Sequence, residues 1–120
     1  MTDKGLSFQD VLNRTTALIR EFEKVEKRPW GIEGAMIELQ KQVGELSKQI
    51  MAFEGYYIPY RDTQPEYKTS KERIADELSD ILIMVIRIAD HYKIDLEKEH
   101  LAQIDIARKH PAMDMKKRTK

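Results

Sequence analysis

The chain has 120 residues, 41% of them apolar and 35% charged, with 21 basic side chains balanced by 21 acidic ones. That suffices for one domain with its own core and is too little for two, and the charge balance offers no field to draw in nucleic acid or an anionic membrane. The absence of cysteine excludes a disulfide frame, a thiolate zinc site and a cysteine nucleophile, and no apolar run approaches the length of a membrane span. With no apolar signal region in residues 1–5, a cytoplasmic protein is expected.

The first predicted helix starts at Ser7, whose hydroxyl caps it while Asp10 sits in the first turn. Phe8, Val11, Leu12, Thr15, Leu18, Ile19, Phe22 and Val25 then recur at helical spacing until Pro29 stops the pattern. The second helix runs from about Ile32 to Phe53, with Met36, Leu39, Val43, Leu46 and Ile50 as its expected buried stripe and Gly55 as its C-terminal stop. A long connection follows, holding Pro59, Pro65 and the tyrosines 56, 57, 60 and 67. A loop of this length in a small domain is usually functional. Thr69 and Glu72 fit a capping box for the third helix, which continues to about His91. Its second half is apolar almost all round, as a central helix would be. Asp95 caps a fourth helix, from Leu96 to about Lys109, ahead of Pro111. Four periodic helices predict an all-α four-helix bundle formed by one domain, residues 1–112, with residues 113–120 as a flexible basic tail.

Chemistry concentrates on two of these helices. Glu38, Gln42 and Glu45 fall within about 60° of one another on the second, and Glu77 and Asp80 share a face of the third. Carboxylates beside an apolar face are expensive to desolvate and call for a cation, a hydrogen-bond network or water. If the two helices pack antiparallel, the two acid sets face each other, and oxygen-only ligands favour Mg²⁺ or Mn²⁺ over zinc. The competing reading is ordinary surface charge, with Glu77 paired to Arg73 one turn before it. Gly44, inside a helix and facing neither stripe, suits close approach of a neighbouring helix, including one from a second subunit. Glu23 and Glu26, the one strict Glu-x-x-Glu, read as a solvated, salt-bridged face. Glu97 and His100 have di-iron spacing, but that centre needs the motif on two helices. Trp30 and the loop tyrosines offer aromatic faces that suit a nucleobase, the core, a lid or a dimer contact equally. There is no glycine-rich phosphate loop and no Ser/His/Asp set, so a protein nucleophile is not expected.

Together, Gln42-Val43-Gly44-Glu45-Leu46, Glu77-Leu78-Ser79-Asp80 and the turn Ile94-Asp95-Leu96-Glu97 resemble the motifs of the MazG-like, all-α nucleotide pyrophosphohydrolases. The similarity spans residues 30–111, with the motifs in the family's order and spacing. It implies a MazG-like bundle, dimeric or tetrameric, that hydrolyses a nucleoside triphosphate, usually a deoxynucleotide, to the monophosphate and pyrophosphate. Mg²⁺ would be held by Glu45, Glu77 and Asp80, with Gln42 and Glu38 auxiliary, and Glu45 and Glu77 would serve catalysis. Trp30 is the candidate for the base. Lys48, Arg73, Arg108 and Lys109 are the candidates for the phosphates. Three positions depart from the family pattern: Gln42 replaces the first glutamate, and Gln103 and Ala107 stand where a lysine and an asparagine are common. A catalytically degenerate member that binds nucleotides or a protein partner as a sensor or scaffold is the alternative; a purely structural helical dimer is a third.

Overall fold

The computed structural model describes residues 5–118. It is all-α: among the described residues there are five α-helices and one 3-10 turn, with no strand. The helices are α1 (Phe8–Val25), α2 (Gly31–Phe53), the single turn α3 (Pro59–Asp62), α4 (Lys71–His91) and α5 (Leu96–Arg118), with the 3-10 turn at Pro65–Tyr67 between α3 and α4. Among these residues no helix is long and apolar enough to cross a membrane.

Local chemistry explains the helix ends. The Ser7 hydroxyl accepts from the Asp10 amide at 3.1 Å and the Asp10 carboxylate accepts from the Ser7 amide at 2.9 Å, a reciprocal capping box. At the end of α2 the Tyr56 amide bonds Met51 O (2.9 Å) and the Gly55 amide bonds Ala52 O (3.2 Å), with Gly55 left-handed at φ +73°. This double closure needs a residue that tolerates positive φ, which glycine supplies. The start of α4 differs from expectation by one residue. Ser70 is the cap, accepting from the Arg73 amide at 3.2 Å, while the Thr69 hydroxyl donates to Gln49 O at 3.1 Å and ties the loop to α2. Asp95 does cap α5, through the Lys98 amide at 3.1 Å.

α4 is the central element, packed most extensively on α2 and next on α1. Thr69 meets Gln49 at one end of the α2–α4 pair, and Trp30 meets Arg87 at the other, so the two helices run antiparallel. The small core gathers Leu12, Ile19 and Ile86, with Ile83 and Leu96 against them. The loop before α4 is ordered by Tyr57 and Tyr67 packed edge to face, with Arg61 over both rings and Lys48 over Tyr67.

Three expectations are corrected. The last helix does not stop at Lys109 but passes through Pro111 to Arg118, so residues 113–118 are helical rather than a frayed tail; residues 119–120 lie outside the described residues. Proline removes one amide from the ladder, a loss that costs least on a helix this exposed, where the freed carbonyl need not be left buried. Nor does α5 complete a four-helix bundle: beyond Leu96 it makes sparse contacts and is exposed from Lys98 to Lys117. Finally, the predicted α2 stripe is half open, with Met36, Val43 and Ile50 all exposed, while Ala35 and Gln49 are the buried residues of that helix. The chain exposes 9710 Å², where a compact monomer of 14.1 kDa would expose about 6,700 Å². Its radius of gyration is 19.0 Å against about 14 Å for a compact domain of this length.

Candidate functional site

The antiparallel packing of α2 on α4 brings the two acid sets face to face. On α2 the Gln42 side-chain amide donates to Glu38 Oε1 at 2.9 Å, and Lys41 Nζ lies 3.5 Å from the same oxygen. On α4 Glu77 is the strained member. Its Oε2 is shut off from solvent and has no hydrogen-bond partner. Burial pushes the Glu77 carboxyl up from its ordinary value, the negative charges of Asp80 and Glu45 push it further, and Lys41 partly offsets them. Glu45, Glu77 and Asp80 therefore share one electrostatic neighbourhood. Among the described residues, no three acidic or histidine side chains are gathered tightly enough, as they stand, to hold a metal ion.

Beside the acids a cavity of about 340 Å³ opens between α1, α2 and α4. Glu38, Gln42 and Asp80 form its polar end, and Phe22, Val25, Trp30, Ile83 and Met84 its apolar wall. The remaining lining residues are Glu26 and Arg87, which form a nearly buried ion pair. Arg87 Nη1 lies 2.8 Å from Glu26 Oε2, and Nη2 donates to Glu26 Oε1 at 3.2 Å. The first contact is close but not aligned as a hydrogen bond, so Oε2 has the ion pair and no N–H pointed at it. The Arg87 guanidinium carbon also lies over the Trp30 ring, 4.7 Å from its centroid.

Trp30 reaches this position because Gly34 lacks a side chain. A methyl group at Gly34 would overlap Trp30 Cβ and sit 2.9 Å from Cγ. The indole thus lies back over the first turn of α2.

The structure unites Trp30, Glu38, Gln42 and Asp80 in one cavity, with Glu45 and Glu77 alongside. It does not bring the proposed phosphate cations there. Arg73 does not pair with Glu77; its Nη1 donates to Lys68 O at 2.8 Å and braces the loop entering α4. Lys48 lies over the Tyr67 ring at 4.9 Å. Arg108 and Lys109 are exposed on α5. Among the described residues nothing lies within 4 Å of where a Gly44 Cβ would stand, so no neighbouring helix among them uses that opening.

Glu26 corrects the reading of a solvated Glu-x-x-Glu. Glu23 does pair with exposed Arg20 at 2.7 Å, but the Glu26 side chain is only 8% exposed. Arg87 was missed altogether. The available signal was an arginine inside the apolar run of residues 81–89, a placement that requires a buried partner. In comparisons with known proteins, no family model matches the chain and no curated protein matches it.

Proposed function

We propose that the chain is a MazG-like, Mg²⁺-dependent nucleoside triphosphate pyrophosphohydrolase of the cytoplasm, releasing pyrophosphate and a (deoxy)nucleoside monophosphate. The observation that carries this reading is Glu77, a carboxylate with one orphaned, solvent-shielded oxygen, crowded by Asp80 and Glu45 beside a cavity walled by Trp30. Such crowding of negative charge fits a hard divalent cation with oxygen ligands. Glu45, Glu77 and Asp80 would hold Mg²⁺ or Mn²⁺, with the Gln42 carbonyl oxygen and Glu38 as auxiliary donors, the side chains turning inward from the positions described. When bound, the ion supplies positive charge against the phosphate oxygens. The chain's own groups do the rest. Trp30 takes the base, and whichever carboxylate of Glu77 and Glu45 the ion leaves free accepts the proton of the attacking water. A dimer or tetramer belongs to the same proposal, supported by the excess surface and by the exposed Val43, Ile50, Leu78 and Leu82 on the outer faces of α2 and α4.

Two observations favour a second reading, a degenerate member that binds nucleotides without turning them over, or binds a protein partner. Gln42 brings no charge to the acid set, and the four candidate phosphate cations lie elsewhere. Purified protein with Mg²⁺ or Mn²⁺ and a panel of canonical and modified triphosphates decides between them. Hydrolysis predicts pyrophosphate release that Glu77→Gln abolishes. Metal-dependent nucleotide binding without release supports the sensor, and a stable oligomer with neither supports the scaffold.

A further inference from the structure

Arg87 is built in at a high desolvation penalty, near the C-terminal end of the central helix, and the acid site does not use it. Its guanidinium carries five N–H groups. One aligned hydrogen bond is present, from Nη2 to Glu26 Oε1. Glu26 Oε2 balances the charge from 2.8 Å and is itself out of reach of solvent. The guanidinium is also held over the Trp30 ring. The ring contact and the ion pair together hold the group in place, and the N–H donors not spent on Glu26 belong to a side chain that lines the cavity. Glu26 is engaged with Arg87, the other acceptors of the lining (Glu38, Gln42 and Asp80) form the cavity's polar end, and Arg87 is the one cation among the lining residues. The cavity, at about 340 Å³, is within the range of small-molecule sites, roughly 300–1,000 Å³.

We propose that Arg87, oriented by Glu26 and Trp30, selects the base, so that the cavity takes a keto-bearing nucleobase of the uracil or hypoxanthine type in preference to its amino-bearing counterpart of the cytosine or adenine type. The proposal rests on the nucleotide reading given above and adds to it the base class and the residue that sets it. A keto oxygen accepts from the fixed guanidinium, whereas an exocyclic amine sets N–H against N–H and leaves charged donors unsatisfied. A hydrogen bond to a charged group contributes enough to separate the two by about tenfold or more.

Trp30 is the sole tryptophan, so its fluorescence reports on this cavity directly and without metal, phosphate or turnover. Wild-type protein in chelator-treated buffer is titrated with two near-isosteric nucleoside pairs, uridine with cytidine and inosine with adenosine. The keto member of each pair is expected to quench at concentrations about tenfold lower or better. Arg87→Met should level both pairs. Because that variant leaves Glu26 without a partner, Glu26→Leu/Arg87→Met carries the same test with the charge pair removed, its fold checked by circular dichroism. Equal or reversed preference in the wild type, discrimination that survives the double substitution, or no quenching by any nucleoside overturns the proposal. The two readings fail separately. Pyrophosphate release without keto preference sinks the role of Arg87 alone, and keto preference without pyrophosphate release sinks the hydrolase alone.

Discussion

Breaking the Glu26–Arg87 pair from one side tests how deeply the site is built into the fold. The two side chains are 8% and 10% exposed and meet at 2.8 Å. Arg87→Met removes the cation, keeps much of the apolar stem, and strands the Glu26 carboxylate. Loss of one partner from a buried pair destabilises by about 3–5 kcal/mol, because the survivor keeps its desolvation penalty. A chain of 120 residues has a total stability of about 6–18 kcal/mol, so the loss is a large share of it. In thermal melts followed by circular dichroism it corresponds to a drop of roughly 12–20 °C. Glu26→Leu/Arg87→Met, which replaces both charges by apolar groups, should recover most of the loss, since such replacement is often neutral or better. Wild-type stability should also respond weakly to salt, a buried pair being poorly screened. A drop below about 4 °C for the single variant, equivalent to about 1 kcal/mol, would show that water reaches the pair and would refute the reasoning.

Other perturbations reach the same site from different sides. Burial, then Asp80 and Glu45, raise the Glu77 carboxyl above its ordinary 4.5, so folding is penalised above the raised value and the penalty fades as pH falls through it toward 4.5. Metal-free Glu77→Gln should therefore melt above wild type at pH 7, with the gap closing toward pH 4.5 in a pH series of melts; a variant that melts lower at pH 7 contradicts this. Gln42→Glu adds a charge to the acid set and should tighten Mg²⁺ binding about tenfold or more by titration calorimetry, because affinity at such sites follows the count of charged ligands. Unchanged affinity would remove Gln42 from the ligand set. Gly34→Ala gains about 1 kcal/mol of helix propensity but overlaps Trp30, which costs about 1–3 kcal/mol. Shifted Trp30 emission and a lower melting temperature are expected, and an unmoved emission maximum would show that the indole does not need the gap.

How legible each feature was follows from the range over which it is fixed. The Ser7 and Asp95 caps, the stop at Gly55 and the course of the first three long helices answer to neighbours three or four residues away, and reading them required no knowledge of the fold. The one-residue shift to Ser70 arose because Thr69 had a better use on Gln49 O, twenty residues distant. The five oxygen-bearing side chains of the acid set were found from spacing alone, and the antiparallel packing that faces them was stated as a condition. Glu26 misled because a charge next to Lys27 and Arg28 at a helix end looks solvated, while its partner is 61 residues further on. The α2 stripe misled for another reason. Periodicity shows that a face is apolar, not which surface covers it, and Met36, Val43 and Ile50 stay exposed in the single chain.

The sequence by itself determined the all-α class, the course of the first three long helices, and the acids Glu45, Glu77 and Asp80 with Gln42 among them. These rest on caps, turns and helical periodicity, which are local. Only the tertiary structure decided that Arg87 lies buried against Glu26 and Trp30, that Arg73 and Lys48 turn away from the acids, and that α5 stands off from the three helices that pack. Each of those outcomes depends on which distant side chain removes a group from water, and spacing along the chain carries no information about that.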